Sequence, residues 1–205
     1  MTTSHARPVT FRILFVCTGN VCRSPLAEIF MRHLLLARLG TDHAARFMVT
    51  SAGTNAVTGV GMDPFSRAEL APWGLDGAAA GFAAHQLDAD VIREADIVLT
   101  ADRGHRSFVA ALEPSALRTT FCIREWERLL NGTDPGRLPA DPVARARSIS
   151  VGAHLRRGTL SYASSADDTI PDPGGQPALA HRTAARMIVS AIQRTVELLA
   201  MDTRI

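Results

Sequence analysis

The sequence predicts an α/β fold with a parallel sheet and helices on both faces, and three observations carry that prediction. Short, continuous apolar runs recur along the chain, a helix-like run follows each of them, and Gly, Asn, Asp and Pro punctuate the junctions. Continuous apolar runs, unlike alternating ones, belong to strands buried on both faces.

"FRILFVC" (Phe11–Cys17) is the first such run, broken by "TGN". "SPLAEIFMRHLLLARLG" then reads as a helix, with Ser24 and Pro25 as start signals and Gly40 as the stop. "RFMVTSAG" (Arg46–Gly53) is a second strand, followed by a helix around Asp63–Trp73 that Asp-Pro opens and Pro72 interrupts. "ADIVLTA" (Ala95–Ala101) is the third strand and "RGHRSFVAAL" the next helix; "LRTTFCI" is the fourth strand, leading into the helix "REWERLL". Past Leu130 turn formers dominate. Asp141-Pro142 opens a helix ending near Arg157, and "TLSYASSADDTIPDPGGQP" reads as loop. The last helix is amphipathic, with Ala185, Ile188, Val189, Ile192, Val196 and Leu199 on one face. The chain reads as a single domain, 1–205, in which 131–168 is a helical and loop insertion with few large apolar residues.

Composition narrows the function. At 205 residues the chain buries a core without staples, and a net charge of +2 asks for neither nucleic acid nor an anionic surface. All 22 basic residues are arginine, so arginine is the only permanent cation available to an anion site. Three cysteines make no disulfide framework. The start carries no signal-peptide pattern and no run approaches ~20 apolar residues, so the expected location is the cytoplasm. Seven histidines, scattered from His5 to His181, show no metal-ligand spacing, and neither metal nor cofactor is expected.

The chemistry concentrates in "FVCTGNVCRSP" (residues 15–25). A strand, a tight glycine-containing loop and a helix start make an anion site from backbone alone: loop N–H groups converge, and the helix N-terminus adds partial positive charge. Cys17 sits at the lip of that nest, where a thiolate is favoured. Arg23 returns six residues later with a planar fork that holds two oxygens of a tetrahedral oxyanion. Ser24 can hydrogen-bond the thiolate, and Asn20 tolerates the left-handed backbone such a loop needs. A bare Cys-x5-Arg spacing is weak; the strand before it and the Arg-Ser-Pro helix start after it make it specific. The bland alternative, Cys17 as a small hydrophobe at a strand end, leaves the loop unexplained.

"ILFVCTGNVCRSPLAE" resembles the phosphate-binding loop of the low-molecular-weight protein tyrosine phosphatases, and the likeness continues in "VTSAGT", "ADIVLTADRGHR", "TTFCIREWERLL" and "IPDPGG". The resemblance implies a flavodoxin-like, three-layer fold with a mostly four-stranded parallel sheet, and hydrolysis of phosphotyrosine-containing protein through a phosphocysteine, with phosphate or another oxyanion in the site. Residue by residue it makes Cys17 the nucleophile, Arg23 the phosphate clamp and Asp172 the general acid. Asn20 and Ser24 become the loop-supporting pair, and Thr18, Gly19, Val21 and Cys22 complete the phosphate-binding loop. Relatives often support the loop asparagine with a histidine; counting back from "QL" puts Phe82 at that place, so the role is not assigned to His85, which is expected to be structural.

The chemistry asks for an acid independently, because attack by a thiolate on phosphorus expels an alkoxide or phenoxide that leaves poorly unless protonated. Asp172, in Ile-Pro-Asp-Pro, lies on a stiffened loop before the last helix; Asp167 and Asp168 compete, but the sequence around them shows nothing rigid. Ser51, in "TSAG", either reaches the catalytic loop or is an ordinary strand-end serine. Cys22 shares the loop with Cys17 and is a candidate redox partner. Arg137, Arg145, Arg147, Arg156 and Arg157 make the 131–168 segment basic, expected as a solvated face.

Rival functions remain. A phosphoarginine phosphatase resembles the same loop but tends to carry threonine where this chain has Val21. An arsenate reductase needs two further redox cysteines, and only Cys122 is left, in an apolar run. A phosphocysteine carrier or a silent phosphoprotein-binding domain has no use for Asp172. The aromatic residues that usually wall the tyrosine phosphatase pocket are missing from "SAGTNAVTG" and "IPDPGGQP", leaving Val57 or its neighbours and Gly174-Gly175; Phe82, Trp126 or Tyr162 are the rings available to replace them.

Overall fold

β1 (Phe11–Cys17) is an inner strand of a four-stranded, all-parallel sheet, flanked by β2 (Phe47–Gly53) and β3 (Ile97–Thr100), with β4 (Thr120–Cys122) beyond β3. The computed structural model describes residues 10–158 and 164–201. The first nine residues, on which the reading of the chain start rests, and Tyr162 lie outside that range.

The helices are α1 (Arg23–Ala44), α2 (Pro64–Ala68), α3 (Ala89–Glu94), α4 (Arg103–Leu112), α5 (Ile123–Leu130), α6 (Pro142–Arg156) and α7 (Ala178–Ala200). The period-2 geometry of β1 divides its side chains between two cores. Phe11, Ile13 and Phe15 pack with α1, α5, α6 and α7, whereas Leu14 and Val16 pack with Ile92 of α3 and Val109 of α4. That is the three-layer α/β arrangement the alternating pattern predicts. Val189 sits half-buried at the edge of the larger core; the other five residues of the predicted α7 face are fully buried.

Three local expectations differ. Gly40 does not end α1: the chain kinks there at φ 73° and resumes helix for four residues. The helix expected over Asp63–Trp73 is split into α2 and a 3-10 turn at Ala71–Trp73, because Pro72 interrupts it. The arginine-rich segment is not a solvated face throughout. Arg145 is 2% exposed and donates to the carbonyls of Leu198, Leu199 and Met201, satisfying the end of α7 that has no intrahelical partners. Arg157 lies over the Phe121 ring at 4.3 Å and pairs with Glu125. Val143, Ala146, Ile149 and Ala153 of α6 belong to the main core.

The strand order reverses direction between β1 and β3, and open α/β sheets bind ligands outside the carboxyl ends of strands at such a crevice. Cys17 ends β1 at that point.

Candidate active site

The loop after β1 is shaped by what its backbone is denied elsewhere. The carbonyls of Cys17, Thr18 and Val21 accept the N–H groups of Thr54, Asn55 and Asp63 at 2.9 Å each. In a trans peptide the N–H points opposite to the carbonyl, so the amides of Thr18, Gly19 and Cys22 point the other way, into the loop. Gly53 makes this fit possible: a Cβ there would stand 2.5 Å from the Thr18 carbonyl oxygen and 2.9 Å from the Asn20 nitrogen. Asn20 has φ 54°, the only positive φ outside glycine among the described residues.

A buried hydrogen-bond chain fixes the loop. Asn20 spends both amide hydrogens, one on Ser24 Oγ and one on Ser51 Oγ, each at 2.8 Å, and its Oδ1 accepts the His85 N–H at 2.8 Å. Ser24 Oγ, which accepts from Asn20, also lies 3.0 Å from Cys17 Sγ and 3.4 Å from the Ala52 carbonyl oxygen, to which it can donate. Ser51 likewise donates to Glu28 at 2.6 Å. Burial raises the Glu28 carboxyl above its usual range, opposed by the Ser51 hydrogen bond and then by Arg32. Ser51 therefore does reach the loop. The His85 ring does not; its backbone N–H supports Asn20, and the exposed ring bonds the nearby Ala83 carbonyl.

Arg23 is 3% exposed. Its Nη1 donates to the Ile170 carbonyl at 3.1 Å, and its Nη2 to Thr18 Oγ1 at 3.2 Å and Asp172 Oδ2 at 2.5 Å. Its Nε–H is buried without a hydrogen-bond partner among the described residues, an orphan charged donor. Thr18 Oγ1 also meets His105 Nε2 at 2.9 Å, and His105 Nδ1 lies 2.9 Å from Asp102 Oδ1. Burial pushes the Asp102 carboxyl up, but the His105 bonds and Arg23 outweigh it and hold it at about 2. Asp102, His105 and Glu28 escape sequence reasoning, because their roles depend on neighbours far along the chain. The one local signal is Asp102 as N-cap of α4.

Asp172 is half-exposed at the loop mouth. Asp168 is 2% exposed and is the loop's anchor, ion-paired to Arg103 at 2.6 Å and to Arg128. The sequence showed nothing rigid around Asp168; the rigidity comes from arginines on α4 and α5. Asp167 is exposed and bonded to Ser164.

Cys22 and Cys122 are both buried thiols, pushed up to about 11 chiefly by that burial. Of the rings proposed for the pocket wall, Trp126 is unavailable: it is 3% exposed, packed on Phe121 and bonded to Thr195. Phe82 borders a cavity of ≈ 530 Å³ along the β2 edge together with Glu28 and Arg32, away from Cys17. Val57 is 68% exposed, and Gly174 and Gly175 remain without a ring beside them in sequence. No described helix is long and apolar enough to cross a membrane.

Comparison with known proteins accords with this geometry. The family model for low molecular weight phosphotyrosine protein phosphatase matches residues 12–136. A low molecular weight protein-tyrosine-phosphatase of Streptomyces coelicolor is 37% identical over 110 residues, which is 52% of this chain and 62% of that relative. The low molecular weight protein-tyrosine-phosphatase Wzb of Salmonella typhi is 30% identical over 130 residues, 63% of this chain and 80% of Wzb. Among solved structures, the YwlE arginine phosphatase from Geobacillus stearothermophilus superposes with a TM-score of 0.62 at 25% identity, covering 91% of each chain.

Proposed function

The chain belongs to the low molecular weight phosphotyrosine protein phosphatase family, and from that premise we propose that it hydrolyses phosphotyrosine and other aryl phosphate monoesters through a phosphocysteine intermediate. The observation that carries this reading is the meeting of Arg23 with both the Cys17 loop and Asp172, an acid brought from the far end of the chain.

In the first step the Cys17 thiolate attacks phosphorus while the inward N–H groups and Arg23 take up the charge on the equatorial oxygens. The P–O bond to the leaving group breaks as Asp172 gives that oxygen its proton. In the second step Asp172, now a carboxylate, takes a proton from water; the water oxygen bonds to phosphorus, the P–S bond breaks, and phosphate leaves. The Ser24 hydroxyl, 3.0 Å from Cys17 Sγ, stabilises the departing thiolate. The Asp102–His105–Thr18 contacts hold Arg23 and the loop in register and touch no reacting atom.

Selectivity for the aryl group is weak in this reading. Two missing ring contacts forfeit roughly 1–3 kcal/mol of stacking on a phenyl phosphate. Phosphoarginine hydrolysis is the second reading, favoured by the similarity to YwlE; the apolar Val21 in the loop suits an aryl ring better than a guanidinium. Arsenate reduction is disfavoured by the burial of Cys122 within β4.

Initial rates on an aryl phosphate, a phosphotyrosine peptide and a phosphoarginine peptide test the proposal. The expected outcome is aryl phosphate turnover with a raised KM, poor phosphoarginine turnover, and no turnover by Cys17→Ser, which still binds vanadate. Near-normal hydrolysis by Cys17→Ser overturns the mechanism, and preferred phosphoarginine turnover moves the assignment to the second reading.

A further inference from the structure

Cys22 is the loop thiol that the phosphatase chemistry leaves idle, and its surroundings are unusual. Its sulfur, a carboxylate oxygen of Asp63 and a ring nitrogen of His181 lie within 4.8 Å of one another. They come from three elements: Cys22 precedes α1, Asp63 is the N-cap of α2, and His181 lies in the first turn of α7. Sequence spacing cannot see such a cluster. His181 is 2% exposed, its ring packed on Phe65 with centroids 5.4 Å apart.

The contacts inside the cluster bring its donor atoms together. His181 Nδ1 is 2.8 Å from Ser66 Oγ and 3.3 Å from Asp63 Oδ1. Ser66 partly offsets the burial that raises the Cys22 thiol. Asp63 Oδ1 already accepts the N–H groups of Phe65 and Ser66. On the other side of the ring His181 Nε2 is buried with no hydrogen-bond partner among the described residues. A nitrogen, a sulfur and a carboxylate oxygen brought this close together in a buried place form a donor set typical of zinc.

We propose that Cys22, Asp63 and His181 form a binding site for one divalent ion of the zinc class, with water or the Ser66 oxygen as fourth ligand. Metal–ligand bonds of about 2.0–2.3 Å require the three atoms to close to roughly 3.3–3.8 Å, a side-chain movement of about 1.5 Å or less. As the S–metal bond forms the S–H bond breaks and its proton leaves to solvent, so binding strengthens with rising pH. A metal-bound Cys22 is also withdrawn from any pairing with Cys17.

Cobalt is the probe, because a thiolate–cobalt bond has a near-ultraviolet charge-transfer band that is read without reference to turnover. The titration uses Cys17→Ser protein, which removes the other loop thiol. One equivalent of Co²⁺ is expected to give the band, and Zn²⁺ to bleach it. Adding Cys22→Ser abolishes the band, and adding His181→Gln weakens binding at least tenfold, with circular dichroism checking the fold. If His181→Gln fails to fold, Asp63→Asn, which keeps the N-cap bonds, is expected to show the same weakening. No sulfur–cobalt band, or a band that survives Cys22→Ser, overturns the site and leaves a hydrogen-bonded cluster that ties α2 to α7. Unchanged affinity in a folded His181→Gln or Asp63→Asn protein overturns it equally.

Discussion

Arg23 Nη2 and Asp172 Oδ2 stand 2.5 Å apart although 149 residues separate them in sequence. The carboxylate thus engages one donor of the clamp that an incoming phosphate group would use. Asp172→Asn is expected to have two opposed effects. Oxyanion binding tightens, because a competing negative charge is gone, and turnover falls most for esters whose leaving group is a strong base. Vanadate inhibition constants and a leaving-group series measure the two effects. Asp168→Asn, by contrast, breaks the ion pairs to Arg103 and Arg128 and is expected to lower stability and loosen the loop. If Asp168→Asn alone shows the leaving-group pattern, the acid has been misassigned.

The Ser51 hydroxyl accepts from Asn20 and donates to Glu28, so Ser51→Ala strips a partner from two buried groups at once. A stability loss of about 1–3 kcal/mol is expected. A fall in kcat larger than any change in KM should accompany it, since the loop still binds phosphate but holds Cys17 less firmly. Urea melts and steady-state kinetics check both; a stability loss with unaltered kcat limits Ser51 to a structural role.

Cys22 lies close enough to Cys17 that a charge on Cys17 raises the Cys22 thiol further. Peroxide is expected to oxidise Cys17 to the sulfenic acid, and attack by the Cys22 sulfur is then expected to release water and close a disulfide. Peroxide-inactivated wild type is expected to recover with a thiol reductant, whereas Cys22→Ser stays inactive. Equal recovery in both removes Cys22 from this protection.

Alkaline stability follows from the two buried thiols. In the folded protein Cys22 and Cys122 are held at about 11, above the unfolded value near 9. The unfolded chain therefore loses these protons first. The stability they contribute is whole below about pH 9 and is lost as pH rises through 11. The full loss is on the order of 2–3 kcal/mol per thiol. Denaturant melts between pH 8 and 11 should fall more steeply for wild type than for the Cys22→Ala/Cys122→Ala protein; parallel curves contradict the assignment.

Periodicity and one spacing made much of this molecule readable in advance. The run Phe11–Cys17 was legible as a doubly buried strand because both its odd and even positions are apolar, and the face of α7 because its repeat is helical. The Cys17–Arg23 loop was legible because its ends are only six residues apart. Gly40 misled, since a glycine kinks a helix as readily as it ends one when packing resumes beyond it. Arg145 misled more, because a charged side chain looks solvated until a helix end is found over it.

Composition and short-range order were enough for the sheet, the loop and the pairing of Cys17 with Arg23 across it, since those depend on residues that are neighbours along the chain. Which serine braces Asn20, which aspartate meets Arg23 and which anchors the acid loop, and whether a histidine stands beside Cys22, were decided by the tertiary structure. Those contacts join residues dozens to well over a hundred positions apart, and a hydrogen bond or ion pair of about 3 Å leaves no periodic trace in the sequence between its ends.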